Sequence, residues 1–200
     1  MKKQTVYTLL VIAFVVSFFV TPLGDYGKLM LNRLFATAPS IISVENRGHI
    51  ADYNWTLKDA NWKFFNFKKA EKSVVFISFW TSWHVPSQAQ LKGIQALYDT
   101  YKSEVQFYII TNEERAPVET FMEKHEYTFP VTYQIIGEPS ALDLLKPPGS
   151  YLIDKTGAIV IHQNAIADWN NTKVHNLVAA LIAENPLQET IEAKKEYTLR

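Results

Sequence analysis

The stretch SVVFISFW at residues 73–80 constrains the fold more than any other part of the chain, because its only polar residues are two serines. A strand with one wet face alternates apolar and polar side chains, whereas a nearly continuous apolar run belongs in a sheet covered on both faces. The neighbouring periodicities say what does the covering. After a turn at 81–85, Pro86 suits a first helical turn, and Leu91, Ile94, Leu97, Tyr98 and Tyr101 recur at spacings of three and four, an amphipathic helix. Residues 105–111 (VQFYIIT) predict a second buried strand. A second helix follows over 116–125, with Pro117 near its start and Val118, Phe121 and Met122 on one face. Strand, helix, strand, helix implies parallel pairing through right-handed crossovers. Strands at 150–153 and 158–162, joined by Asp154, Lys155, Thr156 and Gly157, read as an antiparallel pair. Asn170 or Asn171 can cap a last helix carrying Val174, Leu177, Val178, Leu181 and Ile182. Aromatic-rich runs at 53–58 and 63–67, either side of Asp59, Ala60 and Asn61, predict a hairpin whose Trp55, Trp62, Phe64, Phe65 and Phe67 pack against the sheet. The fold class is α/β, a central mixed sheet flanked by helices.

A different solvent is implied at the N-terminus. No residue from 4 to 24 is charged, and TVYTLLVIAFVVSFFV is almost wholly apolar. That length approaches the ~20 residues needed to cross a bilayer core and exceeds the ~7–15 of a cleavable signal peptide's apolar region. Residues 1–24 are therefore expected to be a signal anchor, a single transmembrane helix. Lys2 and Lys3 against Lys28 and Arg33 lean toward an inside N-terminus. Residues 25–49 read as a juxtamembrane linker, amphipathic over 29–40, and 50–184 as the folded domain. The remainder, 185–200, reads as a polar tail.

Composition removes several functions. With 48% hydrophobic and 20% charged residues the chain folds rather than staying disordered. Twenty Lys and Arg against twenty Asp and Glu leave no electrostatic footprint for DNA or RNA, so no nucleic acid is expected as a partner. There is no cysteine, which excludes disulfides, thiolate nucleophiles, iron–sulfur clusters and Cys-ligated zinc.

Two motifs give the domain its kinship. VVFISFWTSWHVPSQAQL resembles the active-site segment of the membrane-anchored thiol-disulfide oxidoreductases of the TlpA/ResA type, in which a strand ends in W-x-x-W and runs into C-x-P-C at a helix start. PPGSYLIDKTGAIV resembles the same family's later segment, a proline two residues before a strand that ends in an Asp and a Gly-containing turn. The resemblance covers roughly residues 50–184 and implies a thioredoxin-like fold. It also implies a bacterial cytoplasmic membrane location, with the soluble domain facing the periplasm. Carried over position by position, the family's first cysteine falls on His84 and its second on Ser87, while Trp80, Trp83 and Pro86 match. The family's buried proton-accepting glutamate falls on Gln90. Its cis-proline falls on Pro148, preceded here by Pro147.

These departures dismantle one mechanism. Thiol-disulfide exchange needs an attacking thiolate and a second, resolving thiol. Ser87 has no ionised population near neutrality to replace a thiolate, and Gln90 does not titrate. Proline at 147 has no N–H, so one of the two backbone hydrogen bonds that the family offers an extended peptide cannot form. No catalytic residue, metal or cofactor is expected. The chain reads as a degenerate member, a non-catalytic binding or accessory module with a protein partner at the cell envelope. Trp80 and Trp83 flank a groove for that partner, unless Trp80 is core and Trp83 packs on the helix start. One alternative is an enzyme with replaced chemistry, in which His84 serves as ligand or base. His84 and Ser87, at i and i+3, also invite a base–nucleophile reading, though nothing in the sequence supplies a third residue to orient the histidine. Another alternative is a structural subunit of a membrane complex. Glu113, Glu114, Glu119, Glu123 and Glu126 read as a solvated loop and helix face.

Overall fold

The computed structural model describes residues 3–20 and 22–184, and the tail expected at 185–200 lies outside them. At the centre is β3 (Val74–Phe79), every residue of which is buried. It pairs in parallel with β4 (Val105–Thr111) and antiparallel with β6 (Gly149–Ile153). β4 pairs in parallel with β5 (Val131–Gln134), and β6 antiparallel with β7 (Ile159–Gln163). With the hairpin β1 (Thr56–Lys58) and β2 (Phe64–Asn66), the seven-stranded order is β2-β1-β5-β4-β3-β6-β7.

Helix placement follows from handedness. α3 (Val85–Tyr101) links β3 to β4 and α4 (Arg115–His125) links β4 to β5. Both crossovers step in the same direction across the sheet, so right-handed connections put both helices on one face. α5 (Thr172–Ala183) joins them, started by Asn171, whose Oδ1 accepts from Val174 N at 3.1 Å. Phe76, Trp80, Leu91, Ile94, Val118 and Val178 belong to the core on this side. Among the described residues the other face carries no long helix. There Trp55, Phe67, Ile77, Tyr108, Tyr151 and Ile153 form a second core under the 3-10 turn Phe67–Ala70, with Ala141, Leu142 and Leu145 packed on it. The tight β6–β7 turn forms as expected: Gly157 takes φ +86°, and Asp154 Oδ1 accepts from Thr156 N and Ala158 N.

Two features depart from the sequence reading. β5 is not among the expected strands, because VTYQ gives only four residues of pattern after Pro130. Its existence explains the second departure. The hairpin does not cover the sheet but extends it: β1 pairs antiparallel with β5, Leu57 opposite Gln134 and Lys58 opposite Tyr133, and thereby closes an exposed edge. Trp55 and Phe67 at its root are buried, but Phe64 and Trp62 are exposed.

Ahead of the domain lie α1 (Lys3–Val20) and α2 (Pro22–Phe35). α1 exposes Val6, Leu10, Ile12, Phe14 and Val16 to its surroundings. Its 18 residues rise about 27 Å, against a hydrocarbon core of about 30 Å. Among the described residues no helix is long and apolar enough to cross a membrane. α2 packs along α3, and the chain after it runs along the outer edge of β7. Ile42 N donates to Val160 O (2.8 Å), Ile159 N to Gly48 O (2.8 Å) and Ile50 N to Gly157 O (3.0 Å), so the second sheet edge is closed too.

Candidate functional site

Because β3, β4 and β5 are parallel and β6 runs against them, the loops at 80–84, 112–114 and 135–148 meet at one end of the sheet. Open α/β sheets bind their ligands at this end. Every residue singled out from the sequence lies in or beside these loops or in the first turns of α3.

Trp80 ends β3 in the core. Its N–H donates to Ile110 O (2.9 Å) and its indole Nε1 to Ile109 O (3.4 Å), and it is fully buried. Of the two readings offered for this tryptophan, core is the one the structure adopts. Trp83 instead stands clear of the domain, 72% exposed, its ring edge-on to His84 with centroids 5.8 Å apart. His84 is the N-cap of α3, with extended backbone at φ −90° and ψ 110°, and Pro86 fills a first-turn position where a missing N–H costs nothing. Ser87 is 0% exposed, and its hydroxyl lies 3.1 Å from His84 Nδ1.

Gln90 sits one turn deeper, 3% exposed. Its Nε2 donates to Ser78 Oγ (3.2 Å), and Ser150 Oγ donates to the same Ser78 hydroxyl (3.0 Å). Gln90 Oε1 is buried without a hydrogen-bond partner. Gln90 also lines a cleft of about 250 Å³ walled by Arg33 of α2 and Trp169. Across the sheet end, Phe79 pairs with Gly149, which puts Pro147 and Pro148 beside the loop that begins at Trp80. The Pro147–Pro148 peptide bond is cis, Pro148 is buried and Pro147 half-buried. The 135–148 loop is tied down by Tyr151, whose hydroxyl donates to Asp143 O (3.1 Å). Burial, with Asp143 adding to it, pushes that hydroxyl's pKa up to about 12.

One residue of this site is misread from the sequence. Glu113 is not part of a solvated acidic face: its carboxylate accepts from Ser82 N (2.6 Å) and from Ser82 Oγ (2.7 Å). Thr111 Oγ1 adds a third donor at 3.2 Å. With Gln88 Nε2 donating to Ser82 O (2.5 Å), the 81–84 loop is clamped from β4 on one side and α3 on the other. The signal was topological rather than compositional. Glu113 follows the end of β4, and parallel neighbours end together, so its side chain was bound to meet the loop leaving β3.

Chemically the arrangement is spare. The Ser87 hydroxyl is sealed from solvent, so it cannot reach a substrate carbonyl, and the Glu113 carboxylate at the same sheet end is committed to Ser82. Among the described residues no group of three His, Asp or Glu is placed to hold a metal ion. His162 stacks on Tyr151, His125 on Tyr127, and His175 lies against Tyr101, all on other elements.

Residues 49–162 match the AhpC/TSA family, a span of more than half the chain. The chain belongs to the AhpC/TSA family. Its curated relatives are thiol-disulfide oxidoreductases named ResA. One from Bacillus cereus is 30% identical over 113 residues, covering 54% of this chain and 64% of that protein. That of Bacillus subtilis is 27% identical over 137 residues, 67% of this chain and 74% of the relative. The chain thus spans just under two thirds of the length of the first of these. A secreted thiol-disulfide isomerase from Corynebacterium glutamicum superposes with a TM-score of 0.59 at 13% identity, over 75% of this chain and 95% of that one. A secreted disulfide oxidoreductase from Mycobacterium tuberculosis gives 0.52 at 14%, over 66% and 96%. These superpositions establish the thioredoxin-like fold. The relatives are named for a thiol reaction, and this chain contains no thiol.

Proposed function

We propose that this protein is a non-catalytic binding module of the bacterial cell envelope, held in the cytoplasmic membrane by its N-terminal helix with the thioredoxin-like domain on the periplasmic side. The observation that carries the reading is the pair at the tip of α3, where a half-buried imidazole and a sealed hydroxyl stand at the two positions that hold thiols in the TlpA/ResA type. Neither supplies a redox couple. What remains at the sheet end is a binding feature: Trp83, projected from a loop that Glu113 and Gln88 hold in place. Ile136 and Leu144 are exposed on the 135–148 loop at the same end. Exposed tryptophans on rigid supports are the residues that dominate protein–protein affinity. The proline at 147 weakens the older mode, in which a substrate peptide pairs with the backbone before the cis-proline, and so favours side-chain recognition over strand addition.

The anchor reading rests on the uncharged apolar run over residues 4–24, longer than α1 itself, and on the exposed valines, leucines and Phe14 of that helix.

The test has two arms. Purified protein should leave insulin disulfides unreduced in the presence of dithiothreitol beyond the uncatalysed rate, and turnover above that rate refutes the non-catalytic reading. From detergent-solubilised membranes of the source bacterium, the parent should retain a partner that Trp83→Ala binds about thirty-fold more weakly, the equivalent of a ~2 kcal/mol hot spot. Equal recovery by both refutes Trp83 as the anchor.

A further inference from the structure

α2 has two unlike faces. Leu29 and Asn32 are half-buried toward the domain, and Arg33 Nε donates to Ala89 O of α3 at 3.2 Å. Met30, Leu31, Leu34 and Phe35 point the other way, and are 75%, 47%, 76% and 74% exposed. Spacings of one, four and five put them on a single helical face. Apolar residues scattered singly on a surface are ordinary, but four large ones on two adjacent turns form a patch of the kind that marks an interaction site.

The patch also has a fixed direction. α2 is packed along α3, and the chain leaving it is fastened at once, Asp168 N donating to Thr37 O (2.9 Å) and Ile42 N to Val160 O (2.8 Å). The apolar face is therefore presented rigidly by the domain rather than swinging on a tether. On its other side α2 is separated from α1 by one residue, and the two helices touch. α1 exposes apolar residues from Val6 to Val16, and α2 exposes them again from Met30 to Phe35.

We propose that this face of α2 lies in the interfacial layer of the membrane, with the helix roughly parallel to the bilayer surface and the domain held against the lipid. The proposal rests on the anchor reading of α1. Given that anchor, α2 begins at the edge of the hydrocarbon layer, where lipid is the apolar phase within immediate reach, and a 14-residue helix spans only about 21 Å if it lies flat. A functional consequence follows. Ala89, which Arg33 holds, is five residues from His84 along α3, a rise of about 7.5 Å. The Trp83 end of the sheet is then kept close to headgroup level, and the partner it meets must present a segment at the membrane surface.

The absence of native cysteine makes the test direct, since every introduced thiol is labelled uniquely. The full chain is reconstituted into phosphatidylcholine–phosphatidylglycerol vesicles carrying a nitroxide at Met30→Cys or Leu34→Cys. Ile12→Cys reports α1, and Lys173→Cys reports a water-facing site on α5. Met30 and Leu34 are exposed, so their replacement costs the fold little. Power-saturation measurements with oxygen, which partitions into lipid, and a water-soluble nickel chelate then read depth. Oxygen should dominate at positions 12, 30 and 34, with loss of nickel access there, and nickel at 173. Oxygen dominance at 12 with nickel dominance at 30 and 34 overturns the proposal and leaves the anchor standing. Shielding of 30 and 34 from both reagents also overturns it, and spin–spin broadening would then identify a second copy on the face. Nickel dominance at 12 removes the anchor and this inference together.

Discussion

Putting the missing chemistry back tests whether the scaffold is otherwise intact. The perturbation is His84→Cys with Ser87→Cys, alone and combined with Gln90→Glu. The N-cap position of α3 and the sealed position one turn on are the places where a helix N-terminus draws a thiol pKa down into roughly the 3.5–7.5 range. Closing a four-residue loop should stabilise the oxidised form by about 2 kcal/mol on chain-entropy grounds, visible as a shift between urea midpoints with and without reductant. The two-thiol variant should still reduce insulin slowly, because Gln90 cannot take a proton, and a positioned general base is worth about 10²–10⁴-fold. Gln90→Glu is isosteric. It places a carboxyl where the environment is 3% exposed and where Ser78 and the unpartnered side of the residue are waiting, and burial raises a carboxyl's pKa toward neutrality. Turnover should therefore rise by about 10²-fold or more in the three-site variant. Insulin reduction followed by turbidity reads all three proteins. If the two thiols pair but Gln90→Glu adds nothing, position 90 is not the proton relay that the family resemblance assigns to it. If the thiols do not pair, the geometry at the tip of α3 has been lost along with the cysteines, and the account of a preserved scaffold fails.

Two further outcomes follow from individual contacts. Glu113→Ala removes both hydrogen bonds to Ser82 and strands its N–H; since the pair is only half-buried, the loss should be about 2 kcal/mol by urea denaturation, and a change within ~0.5 kcal/mol would show that the clamp is ornamental. His125 has its pKa lowered from 6.5 chiefly by burial and then by Lys124 and Arg33, so the unfolded chain binds its proton more readily; its contribution is complete above pH 6.5 and is lost as pH falls through that value toward the lower folded one. Denaturation at about pH 7.5 and about pH 5 should show a smaller pH-dependent loss in His125→Gln than in the parent, and identical losses would contradict the shift.

What could be read from the sequence, and what could not, divides along the range of the forces involved. β3, β4 and α3 were legible because burial writes itself into local pattern: six consecutive buried residues in β3, and a 3.6-residue stripe in α3. The Asn171 cap and the Asp154–Gly157 turn were legible because both are local hydrogen-bonding chemistry. β5 was not. Four residues are too few for a period, and the strand is selected by its pairing with β4 on one side and β1 on the other, neither adjacent in sequence. Glu113 failed for the same reason, since its partner Ser82 is 31 residues away. Trp80 is ambiguous from sequence for a physical reason: a tryptophan at a strand end can go inward or outward, and the core formed with Phe121 and Phe129 decides it.

The same division explains how this end of the sheet folds without the family's two thiols. Most of the polar groups now at the tip of α3 have been given local partners: Ser87 has His84, Gln90 has Ser78, and Ser78 has Ser150. A buried polar group that is paired contributes about 0.5–1.5 kcal/mol, while one left unpaired costs about 1–3 kcal/mol. Among the described residues, Gln90 Oε1 and Thr81 Oγ1 at this end, and Trp169 Nε1 in the wall of the cleft that Gln90 lines, remain buried without partners. Most of the polar groups at the substituted positions are therefore satisfied within the fold itself. A replacement enzyme would show the opposite pattern, several convergent polar groups held unpaired until a substrate satisfied them. The largest apolar group left open at this end is Trp83, 72% exposed, and the proposed binding role rests on that exposed ring.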